Sequence, residues 1–427
     1  MIQTSPILPA TASPLQRQID ACHDAGGGEV LIPPGRHVTG SLVLKSNVHL
    51  RLAPGAVLAG STDIADYTDK NVPLFIDAVG GERGHALVFA QEARNIGISG
   101  PGVIDGNGLA FAGNKHRPML LRFVRCTGLR IREITLKDSA AWVQHYLDCE
   151  DVLIDGISVD SKHCSNNDGI NLDGCRRVTV ANCRIDSKDD AITLKTTTAA
   201  ACRDIAITNC TLTTECNGIK LGTESKGAFR NITISNIALG RVRLCGIEIL
   251  SVDGAEIDTV NISNIVMDQV GGAFFIRLGQ RGLNETIARP GCVRNVSITN
   301  VTAFIYDDLP ADRINPRWEV ANGARSPSSI MGLPGYPVEN VYLANIAIHH
   351  IGTGTAEDIT RPVEEKPAEY PQWERWGPLP AWGLYARHAR SVIGRDLRFR
   401  LQALDARPCI HTEDVEGLAL HDTQEPR

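Results

Sequence analysis

The chain has 427 residues, 43% of them hydrophobic but only 5% aromatic, with 40 glycines and a formal net charge of −6. That balance describes a β-rich globular chain whose turns consume glycine, and it gives no electrostatic reason to expect nucleic acid or an anionic membrane as a partner. No apolar run approaches the ~20 residues of a membrane span.

The first residues, MIQTSPILPATAS, lack a basic stretch followed by an apolar core, so no secretion signal is visible. The expectation is a cytoplasmic protein, or a periplasmic or secreted one whose signal was trimmed. Residues 14–24, PLQRQIDACHD, set Leu15, Ile19 and Cys22 on one helical face, and Gly26 to Gly28 stop the helix. Such a helix would cap the open end of a strand stack, whose edge is otherwise free to pair. Residues 29–32, 41–44 and 48–52 then alternate as strands between PPG and APG turns.

Further on, one short pattern recurs. Val152, Ile154, Ile157 and Val159 are spaced like Val178, Val180, Cys183 and Ile185, like Ile205, Ile207, Cys210 and Leu212, and like Ile232, Ile234, Ile237 and Leu239. The same unit begins at Leu129, Val260, Val296 and Val341. A step of two is strand alternation, and the switch to a step of three marks a one-residue bend between two short strands. At that bend stand Asn182, Asn209, Asn236, Asn264, Asn300 and Asn345. Asparagine tolerates left-handed backbone angles, and its amide can bond the coils above and below. The unit starts advance by 23, 26, 27, 27 and 28 residues from Leu129 to Val260, one turn of a right-handed parallel β-helix at each step.

The expected fold is therefore an all-β, single-stranded right-handed parallel β-helix forming one domain over 1–427. It has an N-terminal cap region at 14–60, main coils at 95–350, and a loop with C-terminal coils at 352–427. Insertions are expected at about 280–292 and 306–337, where the spacing lengthens to 36 and 45, and at 352–382. Loops of this length usually serve a function or are disordered. Tyr370, Trp373, Trp376 and Trp382 in the last, with Trp318 in the second, favour a binding wall that stacks on sugar rings. The twelve cysteines include Cys183 and Cys210 at inward positions, where thiols pack as small hydrophobes, and no zinc-like pair spacing occurs.

Each unit carries a further strand after its bend, and these align as Asp168-Gly-Ile, Asp190-Ala-Ile, Asn217-Gly-Ile and Cys245-Gly-Ile. Coils stack ~4.8 Å apart, so Asp168 and Asp190 become neighbours on one face, with Asp189 beside them. Three carboxylates this close cannot all ionise cheaply, and at least one pKa rises. A protonated carboxyl beside an ionised one is the division of labour in glycoside hydrolysis. Clustered Asp and Asn oxygens equally suit calcium, and a solvated polar ladder is the third reading.

The run Asn166-Asn167-Asp168-Gly169-Ile170, followed by Lys188-Asp189-Asp190, resembles the Asn-x-Asp and x-Asp-Asp motifs of glycoside hydrolase family 28, the polygalacturonases and their relatives. The stretch GGGEVLIPPGRHVTGSLVLKSNVHLRLAPGAVLAGSTD is similar to the opening of bacterial members, and the likeness weakens after about residue 355. The resemblance implies an inverting hydrolase that needs no metal or organic cofactor and takes an oligosaccharide or polysaccharide. Asp189 would be the general acid, with Asp168 and Asp190 holding and deprotonating the attacking water. Carboxylates stacked ~5 Å apart would by the general separation rule point to retention instead; the family's inversion is followed here.

Downstream the chain departs from that family. Where polygalacturonases carry Gly-His-Gly it has Cys216-Asn217-Gly218, and where they carry Arg-Ile-Lys it has Glu248-Ile249-Leu250. The groups that would grip a galacturonate carboxylate are missing, and an acid at that point suits sugar hydroxyls better than an anionic ring. Candidate substrate-binding residues are Asn167, Asn217, Lys220, Glu248, His145, Lys195 and Arg277. Of these, Lys220 and Glu248 are placed to pair with each other across adjacent coils, and Lys195 to lower a neighbouring aspartate's pKa. His145, in Trp142-Val-Gln-His145, matches a Trp…His feature of many relatives. Loops closing one end of the groove favour attack on chain ends. The rivals are a polysaccharide lyase on the same fold, with Lys195 or Arg277 as base and usually calcium, and a noncatalytic carbohydrate-binding β-helix.

Overall fold

A computed structural model describes residues 13–67, 75–77, 80–284, 287–306 and 326–424. Trp318 lies outside these residues. The chain is a right-handed parallel β-helix. Strands pair in parallel with the strands one coil before and one coil after, as Thr127–Arg132 does with Arg94–Ser99 and Glu150–Asp155. Among the described residues the one antiparallel strand pair is Phe75–Ile76 with Glu82–Arg83.

The expected cap helix is present at Pro14–Asp24, with the Ser13 side chain accepting from Gln16 N. Ile19 is fully buried, and Leu15 and Cys22 pack against the same core. Inside the coils, residues of one repeat position stack on each other. Ile154, Val180, Ile207, Ile234, Ile262, Ile298 and Leu343 are successive register partners, none more than 1% exposed. Each contributes roughly 1.5–3 kcal/mol by burial, and the β-branched shapes fit the pleated surface. Cys183 and Cys210 occupy this interior as expected, and all twelve cysteines are free thiols.

The asparagine bends follow the sequence reading closely. Asn182, Asn209, Asn236, Asn264, Asn300 and Asn345 all have φ between 50° and 57°. Their amides form a ladder, Asn264 to Asn236 at 3.1 Å, Asn300 to Asn264 at 3.0 Å and Asn345 to Asn300 at 2.9 Å. A second left-handed corner runs beside it through Arg177, Asp204, Asn231, Thr259, Asn295 and Asn340. Its mixed residue types hid it from pattern reading.

The segment at 352–382 does not project as an aromatic wall. Trp373 and Trp376 are each 3% exposed and pack in a second core with Cys245, Leu250, Phe275 and Met331. Trp382 closes the main core against Phe399. These three tryptophans therefore fasten the segment to the stack instead of offering faces to sugar, which corrects the expectation drawn from their clustering. The segment so fastened carries Tyr370 over the ammonium of Lys220.

Candidate active site

Backbone hydrogen bonds fix the alignment on which the site depends. Gly169 N donates to Asp190 O, Ala191 N to Asn217 O and Gly218 N to Cys245 O, each at 2.9 Å. Asp168, Asp190, Asn217 and Cys245 thus start equivalent strands on four successive coils. One register row on these strands runs Arg122, His145, Asn171, Thr193, Lys220, Glu248. Asp173 and Lys195 are partners two positions further along.

The three aspartates meet in one narrow cleft lined also by Asp77, Trp142, Asn166, Lys195, Glu224 and Tyr370. Lys195 Nζ stands 3.4 Å from Asp168 and 3.3 Å from Glu224, with the Trp142 ring 4.5 Å away. Lys220 Nζ stands 3.1 Å from Asp190 and 3.7 Å from Glu248. Asn217 clamps Asp190 Oδ1 from two sides, through its amide at 2.8 Å and its backbone N–H at 3.2 Å. Asp190 N donates to Asp189 Oδ1 at 2.9 Å.

These contacts divide the carboxyls. Burial, then the charge of Asp190, raises the Asp189 carboxyl above its ordinary range. Burial would raise Asp190 too, but Lys220 foremost, then Lys195, Cys216 and Asn217, outweigh it and hold that group below the usual value. Asp168 is pushed well up by burial and by its two neighbours, against the pull of Lys195. Both lysines keep their charge: burial alone would lower them, and Glu224 with Asp168 for Lys195, and Asp190 for Lys220, more than reverse it. Glu248 is pushed up to about 8, mainly by burial.

The expected site residues divide into two groups. Lys195 stands on the cleft wall, and His145 lines a larger cavity of about 290 Å³ that shares Asp77 and Glu224 with the cleft. The others are supports. Asn167 is fully buried, donating to Ser139 O and Ala141 O at 2.8 Å and accepting from Ser161. Asn217 orients Asp190, and Lys220 is buried behind it. Glu248 is wholly inaccessible, and its expected pairing with Lys220 is present. Arg277 lies elsewhere, donating to Gly332 O at 3.1 Å and to Glu365 O under the Trp376 ring. Direct contact with substrate, expected for Asn167, Asn217, Glu248 and Arg277, gives way to structural roles because neighbouring coils and the segment at 352–382 cover them.

Sequence reasoning missed Glu224 and Asp77 at the cleft and Cys216 beside it, whereas Tyr370, expected in a binding wall, does line the cleft. Cys216 followed from the alignment with Asn217, Asp77 lies just past the short strand Phe75–Ile76 outside the repeat, and Glu224 lies in the strand Ile219–Ser225 where its register with Ile192–Thr196 shifts. Among the described residues, Asp189, Asp190 and Cys216 bring donor atoms within 4.8 Å of one another, a spacing a metal could use. The donor set does not fit one. The Lys220 ammonium already neutralises Asp190, and burial with the two aspartates pushes the Cys216 thiol well up, away from the thiolate a metal binds.

The profile of glycosyl hydrolases family 28 matches residues 22–308. A probable polygalacturonase of Vitis vinifera is 34% identical over 184 residues, covering 40% of this chain and 37% of that protein. The exo-poly-alpha-D-galacturonosidase of Dickeya chrysanthemi is 25% identical over 235 residues, covering 42% and 38%. The matched parts thus span well under half the length of these relatives. In fold, the chain superposes on the Family 28 exopolygalacturonase of Yersinia enterocolitica with a TM-score of 0.67 at 17% identity, covering 97% of this chain and 75% of that one. It superposes on the exopolygalacturonase of Thermotoga maritima with a TM-score of 0.63 at 21% identity, covering 78% and 82%. With the profile spanning most of the chain and the paired motifs at its aspartate cleft, this protein belongs to glycosyl hydrolases family 28.

Proposed function

We propose that this chain hydrolyses an O-glycosidic bond, with inversion at the anomeric carbon, in a pectin-like or other complex saccharide, acting at chain ends. The observation that carries the reading is the opposed ionisation of adjacent carboxyls: Asp189 held above its ordinary pKa and Asp190 below it. Asp189 then has a proton to give to the leaving oxygen. Asp190, with Asp168 beside it on the preceding coil, orients a water and takes its proton as the water attacks the anomeric carbon. Lys220 and Asn217 keep Asp190 anionic and fixed, and Lys195, 3.4 Å from Asp168, fixes the position of that carboxyl. Excluding bulk water from so small a cleft strengthens each of these interactions.

Action at chain ends is supported by the covers on the groove, Tyr370 on one side and Phe75 to Asp77 on the other, which leave a pocket in place of an open channel. The Dickeya chrysanthemi relative is an exo-poly-alpha-D-galacturonosidase and the Yersinia enterocolitica one an exopolygalacturonase, which agrees with that mode. A lyase would need a neutral base, and both cleft lysines are held charged by carboxylates. A screen of pectic and nonpectic oligosaccharides separates the readings. New reducing ends without ultraviolet absorbance support hydrolysis. Absorbance from an unsaturated uronate supports a lyase, and binding with neither product supports a carbohydrate-binding protein.

A further inference from the structure

The turn that delivers Asp168 is longer than its equivalent on the next coil. Residues 162–169 join the strands Ser158–Ser161 and Ile170–Asp173, whereas 188–191 suffice between Arg184–Ser187 and Ile192–Thr196. The extra chain lies outside the coil repeat, and a side chain from two coils earlier holds it. Arg117, just ahead of the strand Met119–Val124, donates through Nη1 to Ala140 O at 3.0 Å, Ser165 O at 2.6 Å and Ser165 Oγ at 3.3 Å, and through Nη2 to Asn166 Oδ1 at 2.9 Å. Asn166 stands in the left-handed region, at φ 55°, and lines the aspartate cleft. With Oδ1 taken by Arg117, Nδ2 is the polar end left for that cleft.

We propose that Arg117 is a positioning residue for the hydrolysis: it locks the Asn166 carboxamide so that Nδ2 donates to an oxygen of the saccharide beside Asp189. The proposal rests on the hydrolase reading above and adds to it a residue that no coil repeat marks. The cleft is rich in acceptors and poor in spare donors, since the Lys195 ammonium is divided between Asp168 and Glu224. A neutral amide serves there better than a cation. Positive charge against Asp189 would favour its ionised form and strip the proton it must give, and Arg117 is already near enough for Asp77 and Asp189 to act on its charge. Standing behind Asn166, the guanidinium supplies order and leaves the donation to an uncharged group. Its planar fork reaches Ser165 O and Asn166 Oδ1 together, a geometry that the point charge of a lysine does not reproduce.

A double-mutant cycle on kcat/KM, run on an oligosaccharide that the screen shows to be cleaved, tests the assignment. Asn166→Ala and Arg117→Lys, each checked for folding by circular dichroism, should each lower kcat/KM roughly three- to ten-fold, the factor one neutral hydrogen bond supplies. The double variant should fall no further than the worse single, because both changes remove the same contact. Asn166→Asp keeps an oxygen for Arg117 and takes away the donor. It should lose activity as Asn166→Ala does, whereas a strap that only holds the turn would leave activity in place. Losses that multiply in the double variant, full activity in Arg117→Lys, or full activity in Asn166→Asp would each overturn the proposal. If the wild type releases no product, the same cycle is read by calorimetric titration of oligosaccharide binding. Non-additive losses there would uphold the placing of Asn166 by Arg117 and sink the hydrolase reading alone, additive losses would overturn the proposal, and absence of binding would overturn both.

Discussion

Replacing Lys220 by methionine removes the charge that makes Asp190 different from Asp189. The ammonium lies 3.1 Å from Asp190 Oδ2, with both side chains at most 4% exposed. At an effective dielectric of 20, that separation gives a Coulomb term of about 5 kcal/mol. A pKa unit is worth about 1.4 kcal/mol, so full loss would raise Asp190 by up to about 4 units. Lys195 and the Asn217 clamp remain, so the expected rise is smaller, at least about 1 unit. Asp190 must be ionised to take a proton from water, so the acidic limb of the kcat/KM profile should move to higher pH by that amount. The alkaline limb, set by Asp189, should move less. The variant should also lose about 3–5 kcal/mol of stability, the usual result of stranding one partner of a buried pair. A pH series of reducing-end assays beside a thermal melt reads both effects. An acidic limb that stays in place in a folded variant would refute the assignment of Lys220 as the group that sets the ionisation of Asp190.

Asp189→Asn is close to isosteric and should abolish turnover while leaving the circular dichroism spectrum and melt nearly unchanged; retained turnover would remove Asp189 as the acid. Glu248 binds its proton more tightly folded, at about 8, than unfolded, at 4.5. The folded state therefore carries the extra proton between those values, and stability contributed by this group falls as pH rises from about 4.5 to about 8. Glu248→Gln should flatten that slope in denaturation midpoints taken across the window, and an unchanged slope would contradict it. Asn236 has φ of 56° and bonds the ladder on both sides. Asn236→Val should cost about 2 kcal/mol or more, from left-handed strain and lost hydrogen bonds, whereas Asn236→Gly should cost less because glycine escapes the strain. Equal chemical-denaturation midpoints for the two would argue against that account of the bend.

The fold was legible because a β-helix repeats one solution to one problem. Every coil must bury the same face and turn the same corner, so Ile207 and Ile234, or Asn209 and Asn236, recur at matching offsets. The aspartate cluster was legible for the same reason: Asp168 and Asp190 open equivalent strands, and stacking does the rest. Side chains that depend on what covers them were not legible. Glu248 and Arg277 lie on the strands the repeat predicts, yet Tyr370, Trp373 and Trp376 arrive from far along the chain and seal that side. Tryptophan clustering misled because a large apolar ring serves packing as well as it serves sugar stacking.

In the proposed mechanism three carboxyls divide protons unequally around one water, and product stereochemistry reports that arrangement directly. Proton NMR of the first-formed product, recorded before mutarotation, should show the anomer opposite in configuration to the bond cleaved. A first product that keeps the configuration would mean that an aspartate attacks the sugar itself, and the roles given to Asp168, Asp189 and Asp190 would fall together.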